Sequence, residues 1–435
     1  MRTAVMLSIV GLSLSGCGAA APPPGDGGPA IATAPAALVV SAEPAPVSFE
    51  TWLAGVRREA LAQGVSAATL DAAFAGLQPA ERVVELDRSQ PEFTLTFWRY
   101  LGNAVNDRRI GRGRQQLQQN AGLLRQAEAR YGVPGNYLVA FWGLETDYGA
   151  NLGGFPVIQS LATLAYEGRR EDFFRRELLT ALKILDAGNV SPDRMEGSWA
   201  GAMGQMQFMP TTYEAYAVDA DGDGRKDIWD SRPDAFGSAA HYLSQLGWQA
   251  GQRWGMEVAL PAGFDYAQVS IDTFPENWLP IAAWRAKGVT LTDGGALPAA
   301  GPQAAVILPA GAEGPAFLVL DNYRRILNWN RSMLYAVAVG YLADRIAGGA
   351  PLSKVAPSTD DRLTIKEVEE IQRLLTARGF DTRGVDGRIG PMTRSAIRSY
   401  QIASGLPADG YADPPLLVRL RGDAARPLPD AGLPR

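Results

Sequence analysis

Between residues 49 and 186 apolar side chains recur at three- and four-residue spacing, and no segment alternates apolar with polar as a half-buried strand must. That pattern commits this part of the chain to packed helices. The helical stretches are 49–63, 95–105, 158–166 and 171–186, with a polar, Gln- and Arg-bearing helix expected over 113–129. A hydrophobic content of 46% and ten Trp can fill a sizeable core, and 435 residues leave room for two or three domains.

A further helix, over 134–149, carries a carboxylate where packing calls for hydrocarbon. Pro134 suits its start, because a missing N–H and a preset φ cost nothing there, and Gly149 is a natural stop. Leu138, Phe141, Trp142 and Glu145 fall at i, i+3, i+4 and i+7, so all four share one stripe. Burying that stripe strips water from Glu145 and disfavours its charged form. Glu145 is then either a carboxylic acid held protonated near neutral pH, as a glycosidic general acid must be, or half of a buried ion pair with an Arg.

Composition removes several alternatives. A net charge of −5 gives no footprint for a nucleic-acid partner. One Cys excludes an internal disulfide and a thiolate metal cluster, and one His excludes a multi-histidine zinc site. His241 sits in an expected helix without a nucleophile motif nearby, which points to packing or capping.

The chain begins with Met1-Arg2 and an apolar run over 4–14, too short to span a bilayer and shaped like a secretory signal. It ends in Leu14-Ser15-Gly16-Cys17, which resembles the bacterial lipoprotein signal. By that resemblance Cys17 becomes the lipidated first residue of the mature chain. Gly18, in place of an Asp, points to an outer-membrane anchor facing the periplasm. Residues 18–46 are rich in Ala, Pro and Gly and read as a semi-extended tether, roughly 3.1 Å per residue.

Two more stretches carry chemistry. Over 197–210, glycines and alanines alternate with Gln205 and Gln207, which suits close approach of a hydroxyl- and amide-rich ligand; the plainer alternative is a Gly-rich turn before a helix. Over 219–230, Asp219, Asp221 and Asp223 with Gly224 follow the calcium loop of an EF-hand, with the Arg225 carbonyl at position 7 and Asp227 at position 9. Asp230 at position 12 is shorter than the usual Glu, which weakens bidentate reach and admits sodium. The alternative is a metal-free Asx-turn cluster.

Over 258–320 prolines and glycines multiply and β-prone runs appear at 304–308 and 316–320, the mark of a small β-containing insertion. Helical spacing returns over Met333–Ile346, preceded by Asn330, either a sugar-binding amide or the cap of that helix. After a linker, Thr364 and Glu367 form a capping box and two related half-units follow, Gln372 with Asp386-Gly387 and Gln401 with Asp409-Gly410. Some sixty residues are too few for a large catalytic core and suit a binding module.

Together these stretches resemble the membrane-bound lytic murein transglycosylase B family over residues 48–350. The resemblance is carried by Gln90-Pro91-Glu92-Phe93-Thr94, Glu145-Thr146-Asp147-Tyr148-Gly149, Phe155-Pro156-Val157-Ile158, Ala200-Gly201-Ala202-Met203-Gly204, Gln207-Phe208-Met209-Pro210 and Asn330-Arg331-Ser332. Residues 363–422 resemble a peptidoglycan-binding module of the first type, through Asp386-Gly387-Arg388-Ile389-Gly390 and Thr393.

The resemblance implies a mainly α architecture: a lysozyme-like α+β catalytic domain with a small β-containing insertion, then a small three-helix peptidoglycan-binding domain. Glu145 matches the family's single catalytic acid/base, and Ser198, Gln207 and Asn330 match positions lining its glycan subsites. Asp219, Asp221, Asp223, Arg225 and Asp230 match its metal loop, so a structural calcium or sodium is expected, and no cofactor for catalysis. The expected partner is the peptidoglycan glycan strand, reached by a periplasmic, lipid-anchored monomer that cleaves MurNAc–GlcNAc bonds into 1,6-anhydroMurNAc ends. The alternatives are a hydrolytic muramidase recruiting a second carboxylate such as Asp193, and a catalytically silent wall-binding lipoprotein.

Overall fold

The computed structural model describes residues 47–89, 95–271, 275–358 and 360–423. Cys17, the tether and the Gln90–Thr94 motif therefore lie outside the described residues.

Helices dominate, and their starts are written in side-chain caps. Ser48, Ser66, Thr96, Asn106, Ser231, Ser332 and Thr364 each accept a backbone N–H of the turn they open. The single helix expected over 113–129 is two, Asp107–Gln119 and Ala121–Tyr131. They part at Asn120, whose Nδ2 donates back to the Gln116 carbonyl at 2.9 Å, an option that lets Asn compete with helical hydrogen bonding.

At the centre lies Gly135–Thr146, preceded by Pro134 as its N-cap residue. Every residue from Tyr137 to Thr146 is buried, so the stripe bearing Glu145 is one face of a helix surrounded on all sides. The Met333–Ile346, Ala121–Tyr131 and Asp107–Gln119 helices pack on it. The helix stops at Thr146, before Gly149: Asp147 and Tyr148 take left-handed backbone at φ 50° and 62°.

The insertion over 258–320 is as expected a small β unit. Its antiparallel sheet runs in the order Leu279–Pro280, Gln303–Ile307, Ala316–Val319, Gly255–Ala259 and Thr290–Leu291. Ala305 pairs with Val319 and Ile307 with Phe317. Alternate side chains go to different cores: Ala305, Ile307, Phe317 and Val319 join the main helical core. Ala304, Val306, Leu318 and Leu320 close over Trp284 in a core of the insertion's own. The period of two thus welds the sheet to the helices on one face. A second ladder of two short strands pairs Phe155–Pro156 with Glu196–Gly197.

The last unit is three helices, Ile365–Ala377, Pro391–Ala403 and Pro414–Asp423, around their own core. The capping box at Thr364 and Glu367 is formed. Its half-units repeat one hydrogen-bonding device. Gln372 donates to Asp386 Oδ1 and accepts from the Gly387 N–H, while Gln401 donates to Asp409 Oδ1 and accepts from the Gly410 N–H. The second half-unit also docks on the insertion: Asp409 Oδ2 accepts from the Ala312 N–H at 2.7 Å, and Arg398 donates to the Val269 carbonyl at 2.8 Å. No helix among the described residues is long and apolar enough to cross a membrane.

Candidate active site

A cleft opens beside the end of the Gly135–Thr146 helix, lined by Glu145, Arg170, Phe173, Phe174, Ala200, Gln207, Trp329 and Asn330 among others. Glu145 is 7% exposed. Its Oε1 accepts from Trp329 Nε1 at 3.0 Å and from the Tyr335 hydroxyl. Both donors are neutral. Burial, with Glu145 beside it, holds the Tyr335 phenol well above its ordinary value, so it stays a donor. Oε1 thus accepts from two side-chain donors at once. Trp329 is itself fixed by the rings of Phe141, Phe208 and Tyr242 at 4.5, 5.3 and 5.2 Å. Its indole serves to orient Glu145 more than to offer a free stacking face.

The Gly-rich stretch forms the opposite lip. Met203 and Phe208 exchange backbone hydrogen bonds, and Ser198 N–H donates to the Ala202 carbonyl. Two glycines are obligatory here: a Cβ on Gly153 would lie 1.7 Å from the Gly197 carbonyl oxygen, and one on Gly197 2.1 Å from that of Ala202. Gln207 and Asn330 line the cleft. Gln207 is anchored by Nε2 on the Leu152 and Gly204 carbonyls. Asn330 is buried, and the cap of the next helix is Ser332, not Asn330. Ser198 is placed differently from its neighbours: it is buried, off the cleft wall, and its hydroxyl accepts from the Ala200 and Ala202 N–H groups. It shapes the lip from behind.

Asp147, two residues beyond Glu145, leaves the cleft altogether. Its carboxylate takes Arg112 at 2.6 Å, Arg108 at 3.3 Å and Arg109 at 3.7 Å. That cluster explains the left-handed turn where Gly149 was the expected stop. Gln205 ties the same helix to the loops. It accepts from Trp142 Nε1 at 2.7 Å and from the Thr146 hydroxyl through its carbonyl, and donates to the Trp229 and Ile228 carbonyls.

In the acidic loop, carboxylate oxygens of Asp219, Asp221 and Asp223 lie within 4.8 Å of one another. Backbone N–H groups, that of Gly224 foremost, hold Asp219 below the usual carboxylate range. All-oxygen donors of this kind suit a hard cation. Arg225 donates its N–H to Asp223 at 2.8 Å. Asp230 corrects the expected ligand set, since it pairs with the Arg194 guanidinium and stands outside the cluster. A shorter side chain with a cation at hand turns to the cation. His241 is a packing residue, its Nδ1 on the Tyr216 carbonyl at 2.9 Å. Asp193 is exposed and absent from the cleft, whose only carboxylate among the described residues is Glu145.

Arg170, Phe173, Phe174 and Tyr335 went unread in the sequence. Phe174 and Tyr335 sit at ordinary helix positions, and nothing local separates them from core aromatics. Arg170, at the N-cap of Glu171–Asp186, is an unusual residue for a cap and the one weak signal.

Comparison with known proteins places these features in a family. The model of the transglycosylase SLT domain matches residues 48–344, and that of the putative peptidoglycan binding domain matches residues 364–420. Membrane-bound lytic murein transglycosylase B of Escherichia coli (strain K12) is 32% identical over 257 residues, 57% of this chain and 67% of that protein. SltB3 from Pseudomonas aeruginosa, solved in complex with NAG-anhNAM-pentapeptide, shares 52% identity and superimposes with a TM-score of 0.82 over 86% of this chain and 99% of its own. Escherichia coli Slt35 in complex with calcium shares 29% identity at a TM-score of 0.57, over 67% of this chain and 91% of its own.

Proposed function

This chain belongs to the lytic murein transglycosylases of the SLT domain family, and from that premise we propose that Glu145 alone cleaves the MurNAc–GlcNAc β-1,4 bond of peptidoglycan without water, leaving 1,6-anhydroMurNAc ends. Glu145 donates its proton to the glycosidic oxygen as the bond to the anomeric carbon breaks, and the bonding pair leaves with that oxygen. The resulting carboxylate, steadied on Oε1 by Trp329 and Tyr335, then takes the proton of the same sugar's 6-hydroxyl. That oxygen closes onto the anomeric carbon. An internal nucleophile brings its own effective molarity, so no second carboxylate has to hold a water.

The observation carrying this reading is a cleft with Glu145 as its only carboxylate among the described residues, set against neutral donors. The relative SltB3 is known with both NAG-anhNAM-pentapeptide and NAG-NAM-pentapeptide, which supports a peptide-bearing glycan as substrate here. Gln207 and Asn330 are its proposed subsite residues, with Ser198 shaping the lip. No cofactor enters these steps. Asp219, Asp221 and Asp223 are proposed to hold a calcium ion, whose part is to order the loop that Gln205 joins to the Glu145 helix.

The proposed layout is a signal over 1–16, a tether over 17–47, the catalytic domain over 48–350, a linker over 351–362, the binding domain over 363–422 and a tail over 423–435. Cys17 carries the lipid, which would place a monomeric enzyme in the periplasm on the outer membrane. Mass spectrometry of the soluble products of purified peptidoglycan tests the reaction. Muropeptides one water lighter than reducing forms, and inert to borohydride, are expected; reducing ends would establish hydrolysis instead.

A further inference from the structure

Glu177 is a buried carboxyl that the proposed chemistry does not use. It stands on the Glu171–Asp186 helix, 1% exposed, and turns both oxygens to one residue. Its Oε2 accepts from the Thr211 N–H at 2.9 Å and its Oε1 from the Thr211 hydroxyl at 2.8 Å. Thr211 is the second residue of the Pro210–Tyr216 helix, whose N-cap position is held by Met209. A Met side chain cannot accept from the first N–H groups of a helix as Ser, Thr, Asp or Asn does. The acceptor comes instead from Glu177, 34 residues earlier in the chain.

In place of capping, Met209 lines the cleft, with Gln207 two residues before it. Gln207 has left-handed backbone at φ 49°, where glycine rests easily and a side chain is strained. Strain of that kind persists only where the surroundings over-determine the turn. On one side the turn is closed by the Met203 and Phe208 backbone pair, and the Phe208 ring packs on Trp329 and Tyr242. On the other side the segment is clipped to Glu177 at Thr211, four residues on. Along its own helix Glu177 follows Phe173 and Phe174 by four and three residues, which places the three on one stripe, and both Phe residues line the same cleft. One carboxyl thus joins the aromatic wall of the cleft to the lip that carries Gln207.

We propose that Glu177 is a positioning residue that, through Thr211, holds this lip against the aromatic wall so that Gln207 is presented to the glycan strand. This rests on the reading of the cleft as the glycan site. Glu177 touches neither the strand nor the reacting atoms, so its loss weakens ground-state binding and leaves proton transfer at Glu145 unaltered.

The test compares KM and kcat of full chains on soluble glycan strands, with melting temperatures read alongside. Glu177→Met, which keeps the length and removes the acceptor, is expected to raise KM about tenfold with kcat within about threefold of the parent. Thr211→Val, which keeps the N–H and removes the hydroxyl, is expected to raise KM about threefold. Glu177→Gln is the rescue: its amide can accept from the Thr211 N–H and donate to the hydroxyl oxygen, so KM should stay within about twofold. On a Gln207→Ala background Glu177→Met should add little, because the side chain it positions is gone. A Glu177→Met chain that melts lower yet keeps its KM would overturn the proposal and leave a helix cap only. An undiminished effect on the Gln207→Ala background would overturn it as well. Should Glu177→Met fail to fold, Thr211→Val and its combination with Gln207→Ala decide in its place. A parent chain that cleaves no strands would sink the reading of the cleft itself, a result distinct from these because it appears before any variant is made.

Discussion

Glu145 and Asp147 are two residues apart, yet they occupy opposite electrostatic worlds. Glu145 meets an indole and a phenol in a buried cleft; Asp147 meets three guanidiniums on the far side of the helix end. Neutral donors hold a carboxylate by hydrogen bonds alone, whereas a cluster of guanidiniums grips it by charge as well. The first setting suits a group that must give and retake a proton. The second suits a bolt that ends a helix. The helix ends at Thr146 between them, and the left-handed backbone at Asp147 separates its side chain from the face that carries Glu145.

The sharpest way to break this contrast is to exchange the roles. Glu145→Gln should lower the cleavage rate about 1000-fold with the melting temperature nearly unchanged, since an amide can still accept on its oxygen. Product release measured by mass spectrometry would show it, and a loss below tenfold would take Glu145 out of the mechanism. Asp147→Asn should do the reverse, costing about 2 kcal/mol of unfolding free energy after solvent screening of the exposed Arg108, with kcat of the folded fraction within a few-fold of the parent. Chemical denaturation read beside activity separates the two effects.

Tyr335→Phe sharpens the contrast from within the cleft. Removing a donor to Glu145 Oε1 favours the neutral carboxyl, so kcat should fall about tenfold and the alkaline limb of the pH–rate profile should move to higher pH. A limb that stays put or moves down would mean that the phenol does not bias the proton. The smallest effect concerns Glu177, a third carboxyl on an inward face, which accepts from the Thr211 N–H and hydroxyl. Burial raises it above its ordinary 4.5. Its contribution to stability is therefore present below pH 4.5 and lost as pH rises through the folded value, because the unfolded chain ionises more readily. Glu177→Gln should flatten that part of the stability–pH curve, measured by denaturation at several pH values.

The loop at Asp219 offers a parallel comparison of an acidic group meant for an ion. Calcium at a hundredfold excess over its Kd should stabilise the parent by about 2.7 kcal/mol, and Asp219→Asn should abolish the shift in melting temperature. A parent unmoved by calcium would leave the cluster a set of Asx turns.

Much of this was legible from residue spacing alone. A carboxylate at i+7 from Leu138 on an apolar helix announced a buried acid, the Thr364 capping box forms as read, and the spacing of Asp219, Asp221 and Asp223 brings their carboxylate oxygens within 4.8 Å of one another. These are short-range facts, set by side chains that meet within a turn or two. What surrounds Glu145 is not short-range. Trp329 and Tyr335 arrive from 184 and 190 residues away, and Arg170 owes its aim to Asp87 on a separate helix. The same limit explains the misplacements: Ser198 turned to its own loop, Asp230 to Arg194, and the helix end to an arginine cluster. Local propensity and burial, both readable along the chain, set the helices, the Thr364 capping box and the presence of one displaced carboxyl. The donors that face that carboxyl and the acids that cations hold depend instead on tertiary contacts, because packing between distant elements chooses the partners.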